Sequence, residues 1–177
     1  MPIIYTIGHS TRPLSELIDV LREPGVTLLA DVRRIPRSRT NPQYDIANLP
    51  GALSAAGIDY RHFAPLGGRR GTRKDAPSRN TLWRHQAFRN YADYAETETF
   101  RSGLDDLEQV AYERPTAIMC AEAVWWRCHR RLIADYLLIR GWDVVHLMTP
   151  GRSQAASLTP GAVAQPDGTL AYQLAEP

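Results

Sequence analysis

Short apolar runs alternate along the chain with stretches of helical period. "IIYTI" (3–7) is β-branched and aromatic and has the length of a buried strand. The turn "GHST" follows. Pro13 then suits a first helical turn, and Leu14, Leu17, Ile18 and Leu21 keep helical spacing until "EPG" stops it. "VTLLADV" (26–32) predicts a second strand, "IDYRHF" (58–63) a third, "TAIMC" (116–120) a fourth and "WDVVHLM" (142–148) a fifth. Between them, "DIANLPGALSAAG" (45–57) reads as a helix weakened by Pro50. A long helical stretch over residues 83–112 divides at Gly103. "RCHRRLIADYLLIRG" (127–141) is a helix on the spacing of Leu132, Ile133, Tyr136 and Leu137, with Gly141 at its end. Beyond Thr149 the composition shifts to Pro, Gly, Ser and Ala, with a turn and a short terminal strand at "PDGTLAYQL".

This alternation predicts an α/β fold: one domain over residues 1–177, a mainly parallel sheet of about five strands, and helices on both faces. A loop-rich extension over about residues 150–177 should close the chain with a short strand or hairpin. In open parallel sheets, ligands bind beyond the carboxyl ends of the strands. The residues at those ends are Gly8, His9 and Ser10, then Asp31 and Arg33, then His62, then Cys120 and Glu122, then His146. Unusual polar residues therefore converge on one edge.

Composition narrows the class. Hydrophobic residues make up 44% of the 177, charged residues 23%, and the formal net charge is +2, an ordinary globular balance. Two cysteines do not make a disulfide scaffold. "MPIIYTIGHS" has no charged n-region or long apolar core, so it is not a signal peptide, and no apolar run has membrane-spanning length. The expectation is a cytoplasmic protein, with no membrane partner, whose thiols are reduced.

The small net charge makes the local basicity informative. "RRIPRSR" carries Arg33, Arg34, Arg37 and Arg39, and "RRGTRK" carries Arg69, Arg70, Arg73 and Lys74. Such clusters recognise phosphate groups, although a charge run is more often a solvated face. Tyr44, Trp83 and His85 could stack on bases, and so could Trp125 and Trp126, although a tryptophan pair beside a strand end is more often packing.

"IMCAEAVWWRCHRRL" (118–132) gathers the remaining chemistry. Cys120 closes a strand. Cys128 and His129 fall in the first turn of the next helix, where the dipole and Arg127, Arg130 and Arg131 would favour a thiolate. Both cysteines also fit a core, and Cys128 has the stronger structural reading because it lies four residues before Leu132. Glu122, His129, His9 and Asp31 are the acid–base candidates, with Asp31 equally suited to an ion pair with Arg33 or Arg34. Ser10 or Thr11 can bind an anion or simply cap the first helix. Cys120, Cys128, His129 and His9 would make a zinc set, but C-x7-C-H is not a standard zinc spacing, so no metal or cofactor is assigned.

"TIGHSTRPLSELIDVL", "ADVRRIPRSR", "CAE…CHRRLIA" and the closing "SLTPGAVAQPDGTLAY" together resemble a widespread, mainly prokaryotic family known as domain of unknown function 488. The resemblance spans nearly the whole chain and carries no reaction. It marks Gly8, His9, Ser10, Asp31, Arg33, Pro36, Ser38, Cys120, Glu122, Cys128, His129 and Arg130. The spacer "AVWWR" holds two tryptophans where smaller or more polar residues are expected.

The expectation is an enzyme acting on a phosphate-bearing partner, a nucleotide or a nucleic acid. Cys120, Glu122, His9, Asp31 and His129 are its catalytic candidates. Ser10, Arg33, Arg37, Ser38, Cys128 and Arg130 are its anion ligands. A nucleic-acid-binding module without turnover, and a thiol-redox or zinc protein built on Cys120, Cys128 and His129, are the rival expectations. Homo-oligomerisation is left open.

Overall fold

A computed structural model describes residues 2–174. Six strands form one sheet in the order β3-β2-β4-β1-β5-β6. They are β1 (Ile3–Gly8), β2 (Leu28–Asp31), β3 (Asp59–His62), β4 (Thr116–Cys120), β5 (Asp143–Thr149) and β6 (Arg152–Ala155). The first five run parallel, and β6 adds an antiparallel edge to β5. The helices are α1 (Leu14–Arg22), α2 (Leu49–Ala55), α3 (Gln86–Tyr94), α4 (Glu98–Glu113) and α5 (Arg130–Ile139). A small hairpin, β7 (Ala162–Ala164) and β8 (Leu170–Tyr172), ends the described chain.

The two faces of the sheet bury separate cores. Ile7, Ala117 and Met119 meet Leu17, Val20 and Leu21 of α1 and Leu49 and Leu53 of α2. Ile4, Ile118 and Cys120 meet Phe100 and Leu104 of α4 and Leu132, Ile133 and Leu137 of α5. Successive residues of β4 thus point to opposite cores, as a strand with two covered faces requires. The connection after β1 leads to α1 on one face, and the connection after β4 leads to α5 on the other. β1 and β4 are neighbours, with Gly8 opposite Cys120. Their carboxyl ends form the point where a doubly wound sheet opens a crevice.

Several local features differ from the sequence reading. Pro50 begins α2 instead of weakening it, because the first turn needs no proline N–H. The long helical stretch divides at residues 95–97, where Thr97 Oγ1 accepts the Phe100 amide and caps α4. Gly103 lies inside α4, and a Cβ there would stand 2.7 Å from the Pro65 Cβ, so it marks close packing and not a break. Neither Ser10 nor Thr11 caps α1, which starts after an extended Pro13. Cys128 is extended and His129 is the N-cap, so both precede α5 and do not lie in its first turn. Strand β6 was hidden because its exposed residues, "RSQA", carry no apolar alternation.

The segment after β6 is docked. Tyr172 is buried and its hydroxyl donates to Asp135 Oδ2 at 2.9 Å, while the Thr159 amide donates to Asp135 Oδ1 at 2.9 Å. Burial raises the Asp135 carboxyl above its ordinary value against these hydrogen bonds. Tyr172→Phe strips one donor from that buried carboxylate and should cost about 1.5–3 kcal/mol. Urea unfolding measures this, and an unchanged midpoint would show that the hairpin is not anchored there.

Candidate functional site

The site grows from the pairing of Gly8 with Cys120. Beyond the strands the two chains stay together: the His9 amide donates to the Cys120 carbonyl at 2.9 Å and the Ser10 amide to the Ala121 carbonyl at 3.0 Å. A Cβ on Gly8 would lie 1.8 Å from the Glu122 carbonyl oxygen and 2.9 Å from Arg130 Nη2. Glycine is therefore required by a close approach of the backbone. Ser10 takes a positive φ of 47°, an uncommon conformation for serine, to carry the chain away.

The Glu122 carbonyl occupies that space because it binds Arg130. The Arg130 guanidinium is 1% exposed. Its Nη2 donates to the carbonyls of Glu122 at 2.9 Å and Ala123 at 3.4 Å, its Nη1 to Thr6 Oγ1 at 3.0 Å, and its Nε to Cys120 Sγ at 3.0 Å. No described carboxylate pairs with it. An unpaired buried cation costs several kcal/mol. The groups in contact that are able to become anions are sulfurs.

Those sulfurs touch each other. Cys120 and Cys128 are both free and buried, and their Sγ atoms are hydrogen-bonded at 2.6 Å. Cys128 Sγ also accepts the Arg130 amide at 3.4 Å, at the start of α5, and stands 3.4 Å from His129 Nδ1. Burial alone would raise the Cys128 thiol. The Cys120 hydrogen bond, the Arg130 charge and the Arg130 amide outweigh burial and bring it down to about 7. Burial and the shared proton push Cys120 well up. The anion therefore rests on Cys128 and the proton on Cys120. The sequence reading put the reactive thiol at Cys120 and set Cys128 between packing and the anion ligands.

His129 faces Cys128 as a neutral ring. Its Nε2 is 2.7 Å from the Val32 carbonyl, which fixes the proton on Nε2 and leaves Nδ1 unprotonated beside the sulfur. Burial lowers its pKa. Tyr91 meets its ring edge-on at 5.1 Å, and a Cβ on Gly68 would lie only 3.0 Å from Nδ1. His9 is neutral for the same reason. Its Nδ1 pairs with the Ser10 carbonyl at 2.8 Å and its Nε2 lies 3.5 Å from Arg33 Nη1. Tyr44 stacks on it at 4.2 Å.

Asp31 is fully buried and fully engaged. It takes Arg33 Nε at 2.9 Å, Arg33 Nη2 at 2.7 Å and the Tyr60 hydroxyl at 2.5 Å. It has the ion-pair role and leaves no lone pair free for general base work. Arg130, expected among the anion ligands, spends its donors on sulfur and carbonyls behind the site. Tyr44 and Trp83 are buried and unavailable for bases, whereas His85 is exposed. Ser38 accepts the Asn41 amide at 3.0 Å and shapes the arginine loop. Trp125 packs flat on His146 at 4.5 Å.

Above the thiols lies a cleft of about 860 Å³. Cys120, Cys128 and His129 line it, with Phe88 and Tyr91 among its apolar lining and Glu122 beside them. Arg33, Arg34, Arg37, Arg69 and Arg127 converge on it from three separate loops. Thr6 had no signal in the sequence, and His146, expected at the end of the fifth strand, lies within β5. Thr6 sits mid-strand, yet its hydroxyl links Arg130 to His146 Nδ1 at 2.6 Å. Burial, with Arg130 nearby, takes His146 down to about 4 and keeps it neutral.

The family model described as "Domain of unknown function DUF488" matches residues 13–137, from α1 to within α5. The chain belongs to the DUF488 family. The match includes Asp31, Arg33, Cys120, Cys128 and Arg130. No curated protein and no solved structure matches significantly. The DUF488 assignment agrees with the resemblance carried by the "DVR" and "CAE…CHR" segments and brings no reaction with it.

Gly8→Ala tests how tightly this centre is closed. A methyl group 1.8 Å from a backbone oxygen has no rotamer to escape into. The variant should lose about 3 kcal/mol, the upper end of ordinary overpacking. Denaturant unfolding reads this, and wild-type stability would contradict the packing of residues 8 and 122.

Proposed function

We propose that the protein is an enzyme that acts on a phosphate-bearing substrate, a nucleotide or a nucleic acid, with Cys128 as its nucleophile. The observation that carries this reading is buried Arg130, which has no carboxylate partner and donates its Nε to Cys120 and its amide to Cys128 on the floor of an arginine-lined cleft. A thiolate held at neutral pH is a strong nucleophile. Arg33, Arg34, Arg37, Arg69 and Arg127 supply cations where the phosphate oxygens would lie. Phe88 and His85 offer flat surfaces for a base.

In this mechanism the Cys128 thiolate bonds to phosphorus as the ester P–O bond breaks, and the departing oxygen takes a proton from solvent. A water, deprotonated by His129, then attacks phosphorus, releases phosphate and restores the thiolate. Arg130 stabilises the sulfur and does not touch the substrate. Arg33 is held by Asp31 with one nitrogen left facing His9 and the cleft.

Nucleotides, short oligonucleotides and a phosphomonoester should raise the melting temperature and be turned over. Cys128→Ala should remove turnover by at least about 10²-fold while binding remains, and Arg37→Ala or Arg127→Ala should weaken binding. Turnover that survives Cys128→Ala would remove the thiol from the mechanism. Binding with no turnover of any substrate would favour a non-catalytic module. No response to any of these ligands, or to phosphate and sulfate, would overturn the assignment.

A further inference from the structure

We propose that Cys120 and Cys128 are a redox-active dithiol, which a peroxide closes to an intramolecular disulfide on the floor of the cleft. The inference deepens the proposed function, since closing the bridge would consume its nucleophile.

The placement of the two thiols carries the argument. Cys120 ends β4 and Cys128 lies two residues before α5, so the chain between them, residues 121–127, loops out and returns. The sulfurs meet at 2.6 Å, and the side chains share the same core cluster. No gross rearrangement is needed to bring them together, which is the usual obstacle to a bridge. Among the described residues no group of three His, Cys, Asp or Glu gathers around them as a metal set. Both residues line the cleft, so a molecule as small as hydrogen peroxide reaches the pair.

The chemistry divides unequally between the two. The Cys128 thiolate attacks one peroxide oxygen, the O–O bond breaks, and the departing hydroxide takes a proton to leave as water. Cys128 becomes a sulfenic acid. The Cys120 sulfur then attacks the Cys128 sulfur, the S–O bond breaks, and the Cys120 proton leaves with the oxygen as a second water. Two thiols and one peroxide give one disulfide and two waters, the peroxide being reduced by two electrons. Arg130 Nε lies 3.0 Å from Cys120 Sγ and favours its attacking, deprotonated form.

Arg130 also makes the bridge reversible. A disulfide carries no charge, so oxidation removes the anion that balances the buried guanidinium. Reduction by a dithiol restores it, which favours return to the reduced state. A structural disulfide would have no such opposing force.

Reduced protein treated with equimolar hydrogen peroxide should lose two hydrogens in intact-mass measurement. A Cys120–Cys128 cross-link should appear in non-reducing peptide maps, and dithiothreitol should reverse it. Cys120→Ser should stop at a sulfenic acid that dimedone traps on Cys128, and Cys128→Ser should leave Cys120 unmodified. In the wild type, which needs no variant to fold, over-oxidation of Cys128 beside a free Cys120 thiol would overturn the proposal. So would bridges formed only between molecules. A disulfide that forms in a protein that turns over no phosphate substrate keeps the redox site and removes the enzyme reading. Turnover by Cys128 without any bridge does the reverse.

Discussion

Arg130 is a buried guanidinium with no carboxylate beside it, and the site is arranged around that fact. Burying an ion costs several kcal/mol unless its donors are met and its charge is balanced. Two carbonyls of the 121–123 loop and the Thr6 hydroxyl meet donors, and the thiols supply what negative charge there is. Each contact imposes a residue elsewhere. The Glu122 carbonyl leaves no room for a side chain at position 8. Thr6, once it accepts from Arg130, gives its own proton to His146, and that ring must stay neutral. Trp125 covers His146. A glycine, a threonine, a histidine and a tryptophan far apart in sequence thus serve one charge.

A second buried arginine shows the contrast. Arg33 meets Asp31 in a bidentate pair and gains a further neighbour in Tyr60 through the same carboxylate. That pair is complete and asks for nothing more. It leaves Nη1 directed towards His9. The two arginines therefore divide their work: Arg33 is fixed by an acid and faces the cleft, while Arg130 is turned inward and holds sulfur. The exposed arginines around the opening are free to meet an anion, which an ion-paired surface would not be.

Much of this was legible in the chain because strand ends concentrate chemistry. β1, β2, β4 and β5 are short, mainly apolar runs, and their order of appearance with helices between them implies a parallel sheet and an edge where His9, Asp31 and Cys120 converge. The "DVR" and "CAE…CHR" segments carried the family. What stayed hidden depended on partners distant in sequence. Thr6 looks like an ordinary strand residue, and only the fold brings it 124 positions across to Arg130. His146 has no local partner at all. The division between Cys120 and Cys128 turns on which sulfur receives the Arg130 amide and which keeps the proton, and spacing does not encode that. Gly103 and Pro50 misled because each residue breaks helices in isolation. In the fold, one admits Pro65 and the other opens a first turn.

Arg130 has no carboxylate partner, so one cysteine should be ionised near neutral pH. Thiolate ultraviolet absorbance, followed through a pH titration of the reduced protein, measures this. One thiolate per chain should appear with a midpoint of about 7, a step lost in Cys128→Ser. Depressed pKa means the anion is present above that midpoint and disappears as pH falls through it. Absorbance that stays flat until roughly 8.5, the value of an ordinary thiol, would contradict it.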